Sequence, residues 1–214
     1  IWGNPTDMDG VMAVSNKHGI PVIEDASHAH GAEWDGKKVG SIGHIGCFSL
    51  QGSKPLTGGE AGIITTNDTD LFERMVILGH YGRIQNTLVT DKYRAFGHSG
   101  LGIKYRAHPF AMGLALAQLE RIGELNEKCA AWVGELDERL GEIEGIEPIQ
   151  AYPKAKRGGF YSYRATYELA ESTGVSLEKF VEALRAEGVP ASADRYYMLH
   201  VLPVFQDLSF DGLA

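Results

Sequence analysis

The side chains best suited to chemistry crowd into one stretch of the sequence. Val22-Ile23-Glu24-Asp25-Ala26-Ser27-His28-Ala29-His30-Gly31-Ala32 is followed by Gly40-Ser41-Ile42-Gly43, and then by Phe48-Ser49-Leu50-Gln51-Gly52-Ser53-Lys54-Pro55-Leu56-Thr57-Gly58-Gly59-Glu60. Each part alone has an ordinary structural role. Aspartate at a strand end often caps a helix, a lysine in a Gly-rich loop is usually a solvated charge, and His28-x-His30 lacks a third ligand at a convincing spacing for a metal. Together they meet a more specific requirement. A carboxylate (Asp25) at one strand end, a hydroxyl (Ser49) at the end of the next and an amine (Lys54) on a flexible loop are what pyridoxal phosphate asks of a protein. The amine forms a Schiff base, the carboxylate keeps the ring nitrogen protonated, and the hydroxyl serves the phosphate.

Such groups have to be held by a sheet. Residues 7–18 carry Met8, Val11 and Met12 at helical spacing, with Thr6 as the expected N-cap and Gly19 as the stop. Residues 21–25 form an apolar run closing on two carboxylates. Helix, glycine, apolar run is the rhythm of a parallel α/β sheet with strands buried on both faces, whose ligands gather at the strands' carboxyl ends. Asp25 is expected there. Residues 46–50 and 61–66 are expected as further strands, 71–79 as a helix opened by Asp68 or Thr69, and 83–104 as a long functional loop. From Pro109, the helical spacing of Met112, Leu116, Leu119 and Ile122 continues through Trp132, Leu136 and Leu140 to about Glu144. This predicts one long helix joining two domains, with Trp132 and Leu136 in the core. After Gly145 a strand over 160–169, a helix over 177–187 capped by Ser176 and a turn at Gly188-Val189-Pro190 suggest a second, smaller α+β domain. The expected division is 1–125 and 126–214.

Composition limits the partners. The chain has 214 residues, 43% of them hydrophobic, with 20 basic and 28 acidic side chains, a formal charge of −8. An acidic chain without a basic run is a poor binder of nucleic acid. Its longest apolar run, around 110–117, falls short of the roughly 18 residues of a membrane span. Cys47 and Cys129 make no disulfide framework and no C-x-x-C pair, which suggests a reduced, cytoplasmic protein. Arg157, Arg164, Arg195 and Tyr196 are expected at the surface, where they could approach a sugar. Ile1-Trp2-Gly3-Asn4-Pro5 has no initiator Met and no leader, and it suggests a chain that starts in mid-fold.

Read in order, Gly3-Asn4-Pro5-Thr6-Asp7-Met8-Asp9, Ile23 to Ala32, Phe48-Ser49, Lys54, Thr57-Gly58-Gly59-Glu60, Gly79-His80-Tyr81-Gly82, Gly102-Ile103-Lys104-Tyr105-Arg106, Gln118-Leu119 and Leu199-His200-Val201-Leu202-Pro203-Val204-Phe205 carry a resemblance to a known family. It is the DegT/DnrJ/EryC1/StrS family of fold-type-I aminotransferases, which act on keto sugars, usually nucleotide-linked, and in some cases on keto cyclitols. The resemblance implies a three-layer α/β fold with a mostly parallel central sheet plus a smaller α+β C-terminal domain, both partial. It implies pyridoxal 5'-phosphate as cofactor, Lys54 as Schiff-base lysine and proton shuttle, Asp25 as partner of the ring nitrogen, and Ser49 as a phosphate ligand. His28 falls where many members have Gln near the ring hydroxyl. Lys104 and Arg106 match a segment that reaches into the neighbouring subunit, so the implied assembly is a homodimer with shared sites. Many members have Asn where this chain has Lys104, which changes an amide donor into a cation.

Similar enzymes that dehydrate sugars have His in place of the lysine, so Lys54 favours transamination. Glutamate or glutamine would load the cofactor, and a keto sugar or keto cyclitol would then receive the amine. Two other readings stand beside it: a non-catalytic, cofactor-binding regulatory or sensing protein, and a sugar dehydratase. Against the family's pattern the chain is expected to be an internal portion of a longer protein. It would lack the early strands, the helix N-terminus that helps hold the phosphate, the aromatic residue that stacks on the ring, and the rest of the small domain. On its own it is expected to fold poorly and be inactive.

Overall fold

The computed structural model of the chain describes residues 1–82, 84–193 and 196–207. In chain order it forms α1 (Met8–His18), β1 (Ile23–Asp25), β2 (Glu33–Trp34), β3 (Lys37–Lys38), β4 (Ile45–Ser49), β5 (Gly62–Thr65) and α2 (Thr69–Gly79). There follow α3 (Pro109–Leu119), α4 (Ile122–Gly141), β6 (Ile146–Pro148), β7 (Ala155–Lys156), β8 (Ala165–Tyr167), α5 (Ala170–Thr173), α6 (Leu177–Ala186) and α7 (Pro203–Gln206). Two compact units result, residues 1–142 with 148–165, and residues 143–147 with 166–214.

Helix α1 is capped by Asp7 and not by Thr6: the Asp7 carboxylate accepts the Gly10 N–H, and Gly19 closes the helix in the left-handed conformation. The chain then enters β1, which pairs in parallel with β4, with Asp25 opposite Cys47. β4 pairs with β5 in antiparallel register, so the sheet β1-β4-β5 is mixed. The reason is the connection. No crossover helix lies between β4 and β5, and the chain turns back through the Gly-rich loop 50–61. Nor are the strands buried on both faces, since Ile23 and Ile64 are 66% and 58% exposed. A second sheet, β3-β2-β7, contains a tight hairpin whose Asp35 and Gly36 both have positive φ.

Buried Glu24 anchors the return from this hairpin to β4. Its carboxylate accepts the N–H groups of Gly40, Ile42 and Gly43 at 2.7, 2.8 and 2.6 Å. Small residues Ala26, Ala29 and Ala32 pack with Val39 against Ile42 and Phe48, which lets the turn after β1 lie close to the sheet. Leu50, Leu56 and Ala115 form another apolar cluster with Met112 and Ile122 against it. A third, of Ile77, Ile84 and Leu88, fastens part of the long loop onto α2. Glu73 of α2 helps, accepting the Val89 and Thr90 N–H groups at 2.6 Å each.

The single long helix expected from Pro109 is two helices. Arg121 N–H donates to the Gln118 carbonyl at 3.0 Å, a tightened turn that ends α3 before α4 begins. Apolar spacing passes through such a turn undisturbed, so periodicity alone does not reveal it. Trp132 and Leu136 are exposed and α4 buries no residue, which corrects the core assignment. No helix among the described residues is long and apolar enough to cross a membrane.

The strand expected over 160–169 shrinks to β8, which pairs with β6. Phe160, at φ 39, departs from extended backbone at the start of that range. Ser176 caps α6 by accepting the Lys179 N–H, and Tyr167 stacks on Phe180 at 4.7 Å between ring centroids.

Candidate active site

Asp25 and Ser49 end adjacent parallel strands, and the chain leaving each strand is shaped for a pocket. After β1 the Asp25 carboxylate accepts the Ser27 N–H at 3.0 Å. Hydrogen bonds from the Ser27 hydroxyl and N–H hold this carboxyl below the usual carboxylate range, so Asp25 stays ionised. His28 lies near enough to feel both Asp25 and Lys54. Burial, then the Lys54 charge, pushes its imidazole below the ordinary value.

His30 braces the same turn against β4. Its Nε2 stands 2.9 Å from the Ser49 carbonyl. A carbonyl only accepts, so Nε2 carries the hydrogen and Nδ1 is bare. Burial keeps this imidazole neutral. The Ser49 hydroxyl accepts the Gln51 N–H at 3.3 Å.

The loop bearing Lys54 is fixed at its base. Leu50 and Leu56 are buried beneath it, a contribution of about 1.5–3 kcal/mol each. The Thr57 hydroxyl donates to the Leu50 carbonyl at 3.0 Å, and the Thr57 N–H donates to Gln118 Oε1 of α3 at 3.1 Å. Gly58 is required, because a Cβ there would stand 2.8 Å from the Ala111 carbonyl oxygen. Nearer the tip, Gln51 Oε1 receives both the Ser53 N–H and its hydroxyl, at 2.8 and 2.6 Å. Lys54 itself is half-buried.

Residues far from the loop in sequence complete the cluster, and sequence reasoning missed Trp2, Tyr161 and Tyr163 among them. Tyr161 brings its ring under Lys54 Nζ, 3.9 Å from the centroid, and its hydroxyl lies 3.2 Å from Ser53 Oγ. The same ring stacks on His28 at 4.1 Å, and Trp2 stacks on His28 at 5.4 Å. Arg164 lies over the Trp2 ring, at 4.5 Å. Arg157, expected in solvent, is largely buried in an ion pair with Asp137 of α4 at 3.0 Å, and Tyr163 donates to the same carboxylate at 2.7 Å. The signal available was the Gly158-Gly159 pair. A Cβ at Gly158 would meet the Ala32 nitrogen at 2.4 Å, and one at Gly159 the His28 oxygen at 2.5 Å, so only glycines let this segment lie against the turn after β1.

Lys104 and Arg106 gather elsewhere. Both are exposed and lie over the ring of Tyr81, at 5.0 and 5.3 Å. In the second unit Tyr196 is exposed, and Arg195 lies outside the described residues. The cluster around Lys54 therefore offers an amine, an ionised carboxylate, a neutral imidazole and hydroxyls at one end of a parallel strand pair. That set suits a cofactor bearing an aldehyde, a basic ring nitrogen and an anionic group.

Comparison with known proteins agrees with this chemistry. The profile of the DegT/DnrJ/EryC1/StrS aminotransferase family matches residues 1–212. The chain is 35% identical over 204 residues to the L-glutamine:2-deoxy-scyllo-inosose aminotransferase of Streptoalloteichus tenebrarius, covering 94% of this chain and 48% of that protein. It is 33% identical over 216 residues to the GDP-perosamine synthase of Caulobacter vibrioides, covering 100% of this chain and 55% of that one. Among solved structures, an aminotransferase from Psychrobacter cryohalolentis superposes with a TM-score of 0.75 at 29% identity, over 87% of this chain and 50% of the other. The chain thus spans about half the length of the curated relatives it matches.

Proposed function

The chain belongs to the DegT/DnrJ/EryC1/StrS aminotransferase family, and from that premise we propose that it carries the catalytic centre of a pyridoxal-phosphate-dependent aminotransferase. Its amino donor is glutamate or glutamine, and its acceptor is a keto sugar, nucleotide-linked, or a keto cyclitol. The observation that carries this reading is that Lys54 and His28 both lie against the Tyr161 ring, with His28 three residues beyond Asp25 at the end of β1. Relatives named for a glutamine-dependent inosose aminotransferase and for a GDP-sugar product support the two acceptor classes.

Pyridoxal phosphate supplies, when bound, a carbonyl that exchanges amines and an electron sink for the carbon beside the nitrogen. This chain's residues do the rest. Lys54 Nζ would hold the cofactor covalently and, when free, would accept and return a proton. Asp25, kept ionised by Ser27, would hold the proton on the ring nitrogen. The Ser49 hydroxyl would donate to the phosphate, and His28 would flank the ring hydroxyl. Donor and acceptor use the one site in turn.

Lys104 and Arg106 serve the site of a second subunit in a homodimer. Their exposure, over the ring of Tyr81, supports this. Free Cys47 and Cys129 fit a reducing, cytoplasmic compartment.

The test is the full-length protein loaded with pyridoxal phosphate. Glutamine or glutamate is expected to bleach the visible band, and a keto-sugar nucleotide or keto cyclitol to restore it. A band that no amino donor bleaches would refute the activity and favour a sensing role.

A further inference from the structure

We propose that Tyr161 is the positioning residue of Lys54: its ring face carries the Lys54 amine whenever that amine is not covalently bound. The inference rests on the assignment of Lys54 as the residue that attaches the cofactor. Two contacts join Tyr161 to the loop, the 3.9 Å approach of Nζ to the ring centroid and the 3.2 Å link to Ser53 Oγ. An ammonium is attracted to an aromatic face by the ring quadrupole. The ring therefore gives a flexible four-carbon side chain one preferred place to stand, with a hold weak enough to release it.

The segment around Tyr161 is built to bring the ring there. Arg157 and Tyr163, on either side, bond the same Asp137 carboxylate. Gly159 N–H donates to Asn126 Oδ1 at 2.9 Å. The glycine pair presses this segment onto the turn after β1, and stacking on His28 fixes the tilt of the ring. The Ser53 hydrogen bond and the Lys54 charge together hold the Tyr161 phenol below the ordinary tyrosine value, which matches a phenol integrated with the loop and not merely beside it. A lysine that alternates between bound and free states must find its place again at each turnover. Confining the free amine reduces that orientational search.

The test uses the full-length protein with Tyr161→Phe, Tyr161→Leu, and a ring-fluorinated phenylalanine at the same position. Cofactor-free protein is treated with cyanate at one fixed pH, and carbamylation of Lys54 is followed by peptide mass spectrometry, with Lys128 of α4 as internal reference. Wild type and Tyr161→Phe are expected to react at Lys54 at the same relative rate. Tyr161→Leu is expected to react about threefold faster, because no ring face then favours the ammonium. The fluorinated ring, with a weakened quadrupole, falls between them.

A merely structural role would leave the Lys54 to Lys128 ratio unmoved. Equal ratios in all four proteins would overturn the proposal. The fluorinated variant keeps the shape of the ring, so it decides the matter even if Tyr161→Leu does not fold. Borohydride reduction of loaded wild type judges the underlying assignment separately. Cofactor mass on Lys54 upholds it, and mass on another lysine overturns it while the cyanate ratios still report on the Tyr161 contact.

Discussion

Asn126 accepts the backbone N–H of Gly159 at 2.9 Å, while its own Nδ2 donates to the His30 carbonyl at 2.8 Å. One side chain in the first turns of α4 thereby fastens the segment that carries Tyr161 to the turn that carries His28. Asn126→Leu would leave a peptide N–H and a carbonyl unpaired in a part-buried place. The expected loss of stability is about 2 kcal/mol or more, read as a lower urea midpoint. Asn126→Asp keeps the acceptor for Gly159 and loses the donor to His30, so it should cost less. A midpoint unchanged in both variants would show that the bridge contributes nothing.

Acid should loosen the site before it unfolds the chain's carboxylate contacts. Burial holds the imidazoles of His30 and His28 below their ordinary values, so the unfolded chain takes up protons more readily than the folded one. Their contribution to stability is whole above about pH 6.5, the ordinary imidazole value, and declines as the pH falls below it towards the lower folded values. Urea midpoints of the full-length protein should drop between pH 7.5 and about pH 5.5. His30→Gln, which cannot titrate there, should flatten the drop. A steeper fall in that variant would contradict the account.

The two groups assigned to the cofactor should fail differently when removed. Lys54→Ala should lose borohydride attachment and all measurable amine transfer while still binding the cofactor without a covalent link. Asp25→Ala should keep attachment at Lys54 but turn over at least about a hundredfold more slowly, because the ring nitrogen loses its counter-charge. Absorbance spectra and half-reaction rates separate these outcomes. Full activity in either variant would reassign that residue.

Local chemistry was readable where it depends on local chain. Asp25 at the end of β1 and Lys54 on a glycine-marked loop follow from apolar runs and turn residues, and α6 begins at Ser176 as its capping signal predicts. The hairpin at Trp34-Asp35-Gly36-Lys37 carried an Asp-Gly turn signal that could have located it. The break between α3 and α4 was hidden because both helices keep their apolar residues in phase. The antiparallel return of β5 needed the observation that no helix fits between it and β4. Tyr161 was out of reach of any such reasoning. Its hydroxyl meets Ser53 across 108 positions, and nothing in the residues beside it announces that contact beyond two adjacent glycines.

That separation has a consequence for biosynthesis. Chains emerge from the ribosome in order, and contacts between distant residues form only after the intervening loop has closed. Lys54 and Asp25 leave the ribosome long before Tyr161, Arg157 and Tyr163. For the whole of that interval Lys54 lacks the ring that faces it in the folded chain, and the segment bearing that ring is held by Asn126 and Asp137 of α4. On the proposed function, productive capture of the cofactor would be a late event in synthesis, timed by the emergence of a short glycine-led segment and not by the lysine itself.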